Sequence, residues 1–298
     1  MLRDLLQNQG YAFVGDHSAV KLCTWTKKSL KDNGFCYKQQ FYGIQSHLCC
    51  QISPSIGFCQ NKCVYCWREI DLVSGIRMNT PDDPQKIVEN SVIAQRKLLS
   101  GFGGDPDVNK SKFKEAQFPK HYAISLSGEP TIYPKLNELI KILHSMKKTT
   151  FLVTNGLLPA RLAKIEPPTQ LYISIEAPNQ SLYKKIVRSA YKDAWTRQQK
   201  SLTILKSLKK NTKTVLRLTM IKGLNMLAPE DYAKIIARAD PDFVEVKGYM
   251  FVGSSRQRLS MANMPLHSEV KQFAELIAKE SGLSIKDEKK ESRVVLLS

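Results

Sequence analysis

Beyond residue 66, the apolar positions of the chain follow two alternating patterns. Short β-branched and aromatic runs predict strands at residues 121–127, 150–154, 171–176, 214–221, 243–251 and 294–297. Segments with helical periodicity lie between and after them, at residues 84–99, 133–147, 195–210, 229–237 and 267–281. Because repeated strand–helix units imply parallel strands joined by right-handed crossovers, and only five or six units are present, the pattern predicts an α/β fold built as an open or partial barrel.

Residues 101–120 interrupt this alternation with Gly, Pro and Lys, which predicts a long surface insertion. Elsewhere, polar residues stand directly after the predicted strands, with Glu129, Asn155 and Glu176 at three successive strand ends. Turn chemistry explains the neighbouring Gly and Pro residues but not these three side chains. Because parallel α/β folds bind ligands at the carboxyl ends of their strands, the three residues are candidates for a binding site.

The composition is that of a globular protein, with 42% hydrophobic and 24% charged residues among 298. No segment approaches the run of about 18 apolar residues that a membrane helix needs. Residues 1–11 are polar and lack the apolar core of a signal peptide. We therefore expect a cytoplasmic protein without a membrane partner.

The chain carries a large excess of positive charge, with 45 Lys and Arg against 27 Asp and Glu and a net charge of +18. Between Ser181 and Lys222, twelve basic residues stand against one acid, Asp193. A merely solvated helix face, the alternative interpretation, would mix its signs. The run therefore favours contact with RNA or DNA, whose phosphates release counterions when lysine or arginine neutralises them.

All seven cysteines lie in the first quarter of the chain. Their odd number, without a secretion signal, argues against a disulfide framework, and their clustering favours metal binding. Cys59, Cys63 and Cys66 form a C-x3-C-x2-C loop. Three thiolates in one tight loop can hold three irons of a 4Fe–4S cluster and leave the fourth iron open to a small molecule. Structural zinc is the alternative, although zinc usually takes four ligands in two separated pairs.

This loop, its aromatic Tyr65 and the Ser127-Gly128-Glu129-Pro130 motif resemble the radical S-adenosylmethionine (SAM) superfamily. The resemblance implies a partial (β/α)6 TIM-like barrel in which the three cysteines hold the cluster and its open iron binds the methionine moiety. Further residues implied to bind SAM are Tyr65 near the adenine, Gly128 and Glu129 at the methionine ammonium, and Asn155 and Glu176 at the ribose and methionine groups. The implied chemistry is reductive cleavage of SAM to a 5′-deoxyadenosyl radical.

A second series, Cys23, Cys36 and Cys49, is spaced thirteen residues apart twice. With Cys36-Tyr37-Lys38 and matches over roughly residues 10–297, it resembles the archaeal tRNA 4-demethylwyosine synthases. The resemblance implies an N-terminal Cys-rich extension, residues 1–50, with a second 4Fe–4S cluster. Residues 51–298 would then form the radical SAM barrel with a C-terminal extension. Cys50 competes with Cys49 as the third ligand, and the even spacing favours Cys49.

The family resemblance implies a lyase that joins N1-methylguanosine, next to the anticodon of phenylalanine tRNA, to pyruvate and forms tricyclic 4-demethylwyosine. Lys38 matches the lysine implied to form a Schiff base with pyruvate. Such an amine can lose its proton near cationic neighbours. SAM and two 4Fe–4S clusters are the implied cofactors. An external one-electron reductant of flavodoxin or ferredoxin type and a monomeric state are expected.

The basic run then predicts a tRNA contact made by Lys184, Lys185, Arg188, Lys192 and Arg197. Tyr183, Tyr191 and Trp195 are candidates to stack on bases, and the insertion 101–120 is a second candidate contact. Two other functions remain open at this point: a zinc-dependent RNA-binding protein without catalysis, and a radical SAM enzyme with another substrate, such as a glycyl-radical activase.

Overall fold

The computed structural model describes residues 2–73 and 75–298, which divide into two compact units. The N-terminal unit contains the described residues up to 58 and those between 75 and 153. The C-terminal unit contains residues 59–73 and 154–298. Each unit is therefore assembled from two separate stretches of chain, and the cysteine loop 59–66 belongs to the C-terminal unit.

The N-terminal unit carries strands in the order β1-β2-β3-β4-β5. They are β1 Tyr11–Phe13, β2 Ala19–Lys21, β3 Cys49–Ser53, β4 His121–Ile124 and β5 Thr149–Thr154. The first three strands pair antiparallel, and β3, β4 and β5 pair parallel. The helices are α1 Leu2–Asn8, α2 Thr24–Leu30, α3 Tyr37–Tyr42, α4 Pro84–Leu99, α5 Lys110–Ala116 and α6 Leu136–Ser145.

The parallel strands of this unit have two different faces. Side chains alternate between faces along a strand, and the even-numbered set is almost fully buried: Cys50, Ile52, Tyr122, Ile124, Thr150 and Leu152. The amphipathic helices α4 and α6 supply the matching apolar surface, for example through Ile87 and Leu139. The odd-numbered face, which includes Cys49, His121 and Thr149, is only half-buried. This unit thus has a packed face and an open face.

The C-terminal unit carries strands in the order β6-β7-β8-β10-β9. They are β6 Gln170–Ile175, β7 Lys213–Met220, β8 Phe243–Gly248, β9 Ile285–Lys289 and β10 Val294–Leu297. Strands β6, β7 and β8 pair parallel, and β10 pairs antiparallel with β8 and β9. The helices are α7 Pro159–Leu162, α8 Gln180–Val187, α9 Ala194–Leu208, α10 Pro229–Ala239 and α11 His267–Ser281.

The predicted α/β class is confirmed, since both units build parallel strands joined through helices. The insertion 101–120 is not the plain surface loop that its composition predicts. It contains α5, and Val108 and Ala116 are buried with Leu22, Leu30 and Leu99 in a small apolar cluster. Among the described residues, no helix is long and apolar enough to cross a membrane. The functional division at residue 50 stays a prediction.

Candidate functional site

The cysteine loop is anchored on one side by the segment that ends α8. The backbone N–H groups of Lys62 and Val64 donate to the carbonyls of Arg188 and Ile186, over 3.2 and 2.9 Å. In return, the N–H of Ala190 donates to the carbonyl of Gln60 over 2.8 Å. These reciprocal bonds satisfy the loop backbone without regular secondary structure and hold its conformation.

The opposite side of the loop is held by residues 253–258, which follow β8. Arg258 donates from Nε to the carbonyl of Val64 (3.2 Å) and from Nη2 to the carbonyl of Cys66 (2.6 Å). Ser254 binds the carbonyls of Trp67 and Arg68 through its N–H and hydroxyl. Gly253, at φ +58°, approaches Trp67 so closely that a Cβ would overlap its carbonyl. Sequence reasoning missed this clamp, because nothing in the sequence pairs residues 254–258 with 64–68.

The three thiols of the loop are not joined by disulfides, and Cys59 and Cys66 both act electrostatically on Cys63. Burial raises the pKa of the Cys63 thiol well above its ordinary value, and the nearby charges of Glu176, Cys66 and Cys59 raise it further. The loop also buries two polar atoms that have no partner among the described residues, Gln60 Nε2 and Asn61 Oδ1. A soft thiolate donor set fits an iron–sulfur cluster, since bound iron stabilises the thiolate form, and Gln60 Nε2 is a donor of the kind that cluster sulfurs accept from.

The described His, Cys, Asp and Glu side chains contain no group of three or more placed to hold one metal ion. A single ion such as zinc draws all its sulfur ligands to about 2.3 Å from one point. A 4Fe–4S cluster instead takes its thiolates around a larger body.

Glu176 follows β6 and is almost fully buried beside the loop. One of its carboxylate oxygens accepts from the Tyr65 hydroxyl over 2.9 Å, and the other accepts from Gln198 Nε2 over 3.4 Å. The side-chain amide of Asn225 donates to the backbone carbonyl of Glu176 over 2.8 Å. Sequence reasoning identified Tyr65 and Glu176 but missed Gln198 and Asn225, which lie on a helix face and in a turn and carry no motif of their own.

Asn155 is placed against the same loop. Its side-chain Nδ2 donates to Gln60 Oε1 over 3.1 Å, and its Oδ1 accepts from the N–H of Leu157 over 3.0 Å. The structure therefore brings the predicted residues Asn155, Tyr65 and Glu176 together with the three cysteines in the C-terminal unit.

The SGEP motif belongs to the N-terminal unit and follows β4. Gly128 has φ +72° and lies so close to the carbonyls of Ser55 and Phe58 that no Cβ fits there. This approach lets the N–H of Glu129 donate to the carbonyl of Phe58 over 2.7 Å. The buried Glu129 carboxylate accepts from the N–H and hydroxyl of Thr131, over 3.0 and 2.6 Å. The glycine thus fixes where the carboxylate stands.

The second cysteine series converges in the N-terminal unit. Cys23 and Cys36 precede the first turns of α2 and α3, and Cys49 begins β3. Burial raises the pKa of the Cys49 thiol to about 12, the charges of Cys23 and Cys36 raise it further, and Lys38 acts in the opposite direction. Cys23, Cys36 and Lys38 therefore each lie within electrostatic reach of the Cys49 thiol.

Lys38 is 9% exposed, and its Nζ lies 4.8 Å from the centre of the Phe151 ring. Phe151 lies on the odd-numbered face of β5, the face that also carries Cys49 on β3. A buried amine that points at this open face is unusual among lysines, which are rarely buried without a purpose. Lys38 is therefore not one of the many solvent-exposed lysines of this basic chain.

The neighbouring Cys50 faces the other way. It is completely buried on the packed face, and the charge it would carry acts on the pKa of Tyr122 of β4. Because adjacent strand residues point to opposite faces, Cys49 and Cys50 cannot both reach Cys23 and Cys36. The geometry favours Cys49, as the even spacing of the series predicts.

The predicted RNA-binding residues fall on and after α8. Lys184, Lys185, Arg188 and Lys192 are exposed, and Arg197 lies over the Tyr191 ring at 4.3 Å and pairs with Asp193 at 2.8 Å. Together these five residues form a surface that we term the basic strip.

Two parts of the predicted RNA contact are wrong. Tyr183 is 1% exposed and packs edge-on against Trp195, with ring centres 5.4 Å apart, so its ring cannot stack on a base. Arg217 lies on β7, where its Nε is 3.9 Å from the fully buried carboxylate of Glu245, and it does not belong to the surface run. Both errors arise because a charge count along the sequence ignores the faces of strands and helices.

Two family models match the chain, "Radical SAM superfamily" over residues 53–236 and "Wyosine base formation" over residues 238–298. The S-adenosyl-L-methionine-dependent tRNA 4-demethylwyosine synthase of Pyrococcus abyssi is 49% identical across 99% of this chain and 87% of its own length. The Homo sapiens protein of that name is 43% identical across 91% of this chain but 37% of its own, longer sequence.

Solved structures give the same similarity. The structure of TYW1 with a lysine–pyruvate adduct bound superimposes with a TM-score of 0.90 and 39% identity, over 99% of this chain and 94% of that one. A crystal structure of archaeal TYW1 superimposes with a TM-score of 0.81 and 36% identity over the same shares. The parallel strands and helices described above are therefore those of the radical SAM fold.

Proposed function

Because this chain belongs to the family of S-adenosyl-L-methionine-dependent tRNA 4-demethylwyosine synthases, we propose that it condenses N1-methylguanosine in phenylalanine tRNA with pyruvate to form 4-demethylwyosine. The observation that carries the proposal is a pair of cysteine triads, one of which has the buried Lys38 beside it. The alternatives of a non-catalytic zinc protein and of a radical enzyme with another substrate find no support in these similarities.

Membership in the radical SAM superfamily implies SAM and one 4Fe–4S cluster, and Cys59, Cys63 and Cys66 are the residues that would hold the cluster. When bound, the cluster supplies the electron that cleaves SAM to methionine and a 5′-deoxyadenosyl radical. The residues of the chain fix the geometry of that step and exclude water from it.

The remaining predicted SAM ligands have distinct tasks in this proposal. Tyr65 places its ring near the adenine, and its hydroxyl keeps the Glu176 carboxylate in place. Asn155 and Glu176 offer polar atoms to the ribose and methionine groups. Glu129, which Gly128 positions, offers its carboxylate to the methionine ammonium. A carboxylate attracts a cation more strongly when it is buried than when it is exposed to water.

Cys23, Cys36 and Cys49 form the candidate site of a second 4Fe–4S cluster, which would lie beside Lys38. In the proposed reaction, the deprotonated Nζ of Lys38 attacks the keto carbon of pyruvate. The keto oxygen leaves as water, and an imine forms between Nζ and that carbon. The imine activates pyruvate for transfer of two of its carbons, the former keto carbon and the methyl carbon, to the base, and the carboxylate carbon leaves as a one-carbon fragment. Phe151 lies against Nζ and limits the access of water that would hydrolyse the imine.

The tRNA contact in this proposal includes the basic strip, Lys184, Lys185, Arg188, Lys192 and Arg197. The target base must leave its stack to reach the radical, so base flipping is part of the proposal. Residues 1–50 act as the cluster-bearing extension and residues 51–298 as the barrel with its C-terminal extension. A separate flavodoxin- or ferredoxin-type protein supplies the electron to a monomeric enzyme.

The test is anaerobic reconstitution with iron and sulfide, followed by incubation with SAM, a reductant, N1-methylguanosine-bearing tRNA and labelled pyruvate. Label should enter the tRNA, and digestion should release a tricyclic nucleoside with the mass of 4-demethylwyosine. The same tRNA with unmethylated guanosine is the control and should stay unlabelled. Cleavage of SAM without any label in the methylated tRNA would reject the substrate assignment.

A further inference from the structure

A groove of about 530 Å³ opens in the N-terminal unit between α2 and the start of the insertion. It is lined by Thr24, Lys27, Lys28, Lys31, Asn33, Gly101, Phe102 and Asp105; most of these residues are basic or polar, but the surface that they present to the groove is largely the apolar part of their side chains. Its volume falls within the range of about 300–1,000 Å³ that is usual for sites of small organic ligands. The groove starts at Thr24, the residue that follows Cys23 of the second cysteine series.

Three lysines of the groove lie at the C-terminal end of α2. Lys27 and Lys28 belong to its last turn, and Lys31, which follows the helix as its C-cap, lies four and three residues further along the chain. Lys31 is neutralised by Asp105, whose carboxylate lies 2.6 Å from its Nζ. Lys27 and Lys28 are exposed, and within the described chain neither forms an ion pair. The groove therefore presents two uncompensated positive charges.

Two of the four lysines of the insertion, Lys110 and Lys112, are already engaged. Lys110 donates from Nζ to the carbonyls of Gly103 and Asp105, both at 3.1 Å, and Lys112 pairs with Asp32. These contacts fasten the insertion to α2 and to its own turn. Lys110 and Lys112 therefore add no unneutralised charge to this surface, although the sequence predicts the insertion as a candidate RNA contact. Lys27 and Lys28, on the α2 wall of the groove, do add it.

We propose that this groove binds the sugar–phosphate backbone of the tRNA substrate, with Lys27 and Lys28 on adjacent phosphates and the half-buried Phe102 against a ribose or base. The inference rests on the proposed function, which supplies the RNA. Most hydrogen bonds in protein–nucleic acid complexes go to the backbone, and a substrate as large as tRNA is gripped at several places. The groove belongs to the N-terminal unit, and the basic strip belongs to the C-terminal unit.

The experiment measures tRNA binding by the reconstituted full-length protein over a range of salt concentrations. Replacing both lysines, Lys27→Gln with Lys28→Gln, should weaken binding about tenfold at moderate salt. It should also lower the slope of log K against log salt by about 1 for each phosphate that the protein no longer neutralises. The charge-retaining pair Lys27→Arg with Lys28→Arg should keep the wild-type slope. Both positions are exposed, so thermal unfolding should be unchanged.

The matched control removes two lysines of the same unit outside the groove, Lys147→Asn with Lys148→Gln, in the turn between α6 and β5. Asn suits position 147 because the backbone there has φ +56°. This variant should bind tRNA with the wild-type slope. Equal slopes of log K against log salt for the wild type and the Gln pair would overturn the groove proposal. If the wild type itself did not bind tRNA, the proposed function would fail instead.

Discussion

At the scale of single residues, two adjacent cysteines have opposite environments. Cys49 lies on the open face of β3 with Lys38 and Phe151 nearby, and Cys50 lies on the packed face with no exposed surface. The spacing of thirteen residues favours Cys49 from the sequence alone. The physical reason is visible only when β3 is known to be a strand, since the strand period sends neighbours to opposite faces.

The first prediction compares the two cysteines by iron content. Cys49→Ser should lose about half of the iron of the reconstituted protein, because hydroxyl is a poorer iron ligand than thiolate. Cys50→Ala should retain the wild-type iron content, at a cost of about 1 kcal/mol in the free energy of unfolding for the buried sulfur. Iron and sulfide assays with visible absorption measure both. An iron loss in Cys50→Ala that equals that of Cys49→Ser would reverse the ligand assignment.

The second prediction concerns Lys38. Lys38→Arg keeps a positive charge near Phe151 but cannot form a neutral-amine imine, so product formation should fall about a hundredfold or more. Cleavage of SAM should continue, because the cysteine loop is untouched. Borohydride should trap labelled pyruvate on the wild type and not on the variant, as mass spectrometry of the peptide containing residue 38 would report. Equal trapping by the variant would exclude Lys38 as the nucleophile.

At the scale of elements, the cysteine loop is set by two partners that are distant in sequence. The segment after α8 holds one side, and residues 253–258 hold the other, with Arg258 on two carbonyls of the loop. This clamp lies within the stretch matched by the wyosine-specific family model, whereas the loop lies within the radical SAM model. The C-terminal extension therefore contributes directly to the geometry of the loop.

The third prediction is that Arg258→Ala loosens this loop. It removes two hydrogen bonds with a charged donor, and a hydrogen bond to a charged group is worth roughly 1.5–3 kcal/mol. The variant should lose iron from the C-x3-C-x2-C site, show a changed electron paramagnetic resonance signal and need more SAM for half-saturation. Arg258→Lys, which can reach one carbonyl, should recover part of each. Gln257→Ala, at the exposed neighbouring position, is the control and should behave as wild type.

Regular elements followed from the sequence where the apolar pattern was long. Helices α4 and α11 have the predicted bounds. Strand β5 begins one residue earlier than predicted, and β6 both begins and ends one residue earlier than predicted. The strands β1 and β2 were missed because each has three residues, too few for a period to show. Helix α5 was missed because its polar sequence is stabilised by the Asn109 cap and by contacts of Ala116 with the core.

At the scale of the whole molecule, the net charge of +18 is distributed over separate surfaces. The basic strip belongs to the C-terminal unit and the α2 groove to the N-terminal unit. Arg217 lies on a buried strand opposite Glu245 and adds nothing to either surface. The sign and size of the net charge could be predicted from the sequence. The surfaces that carry the basic residues could not, because this depends on which faces of the strands and helices are exposed.

The fourth prediction concerns the basic strip. Lys184→Gln with Lys185→Gln should weaken tRNA binding to a similar degree for every RNA sequence and lower its salt slope by about 1 for each phosphate left without its lysine. Phosphate contacts carry no base information, so the preference for methylated over unmethylated tRNA should not change. Filter binding over a salt series measures both quantities. A loss of methyl discrimination with an unchanged slope would mean that these lysines read the base and not the backbone.

The interleaved build of the two units has a consequence for how the protein matures. The carbonyl of Cys66 meets Arg258 across 192 positions of sequence, so the loop leaves the ribosome long before its clamp exists. The second triad, by contrast, is complete as soon as Cys49 has emerged and the nearby strands can pair. Full support of the loop is therefore available only after residue 258 has been synthesised, so we expect a cofactor held by Cys59, Cys63 and Cys66 to be inserted late in the synthesis of the chain.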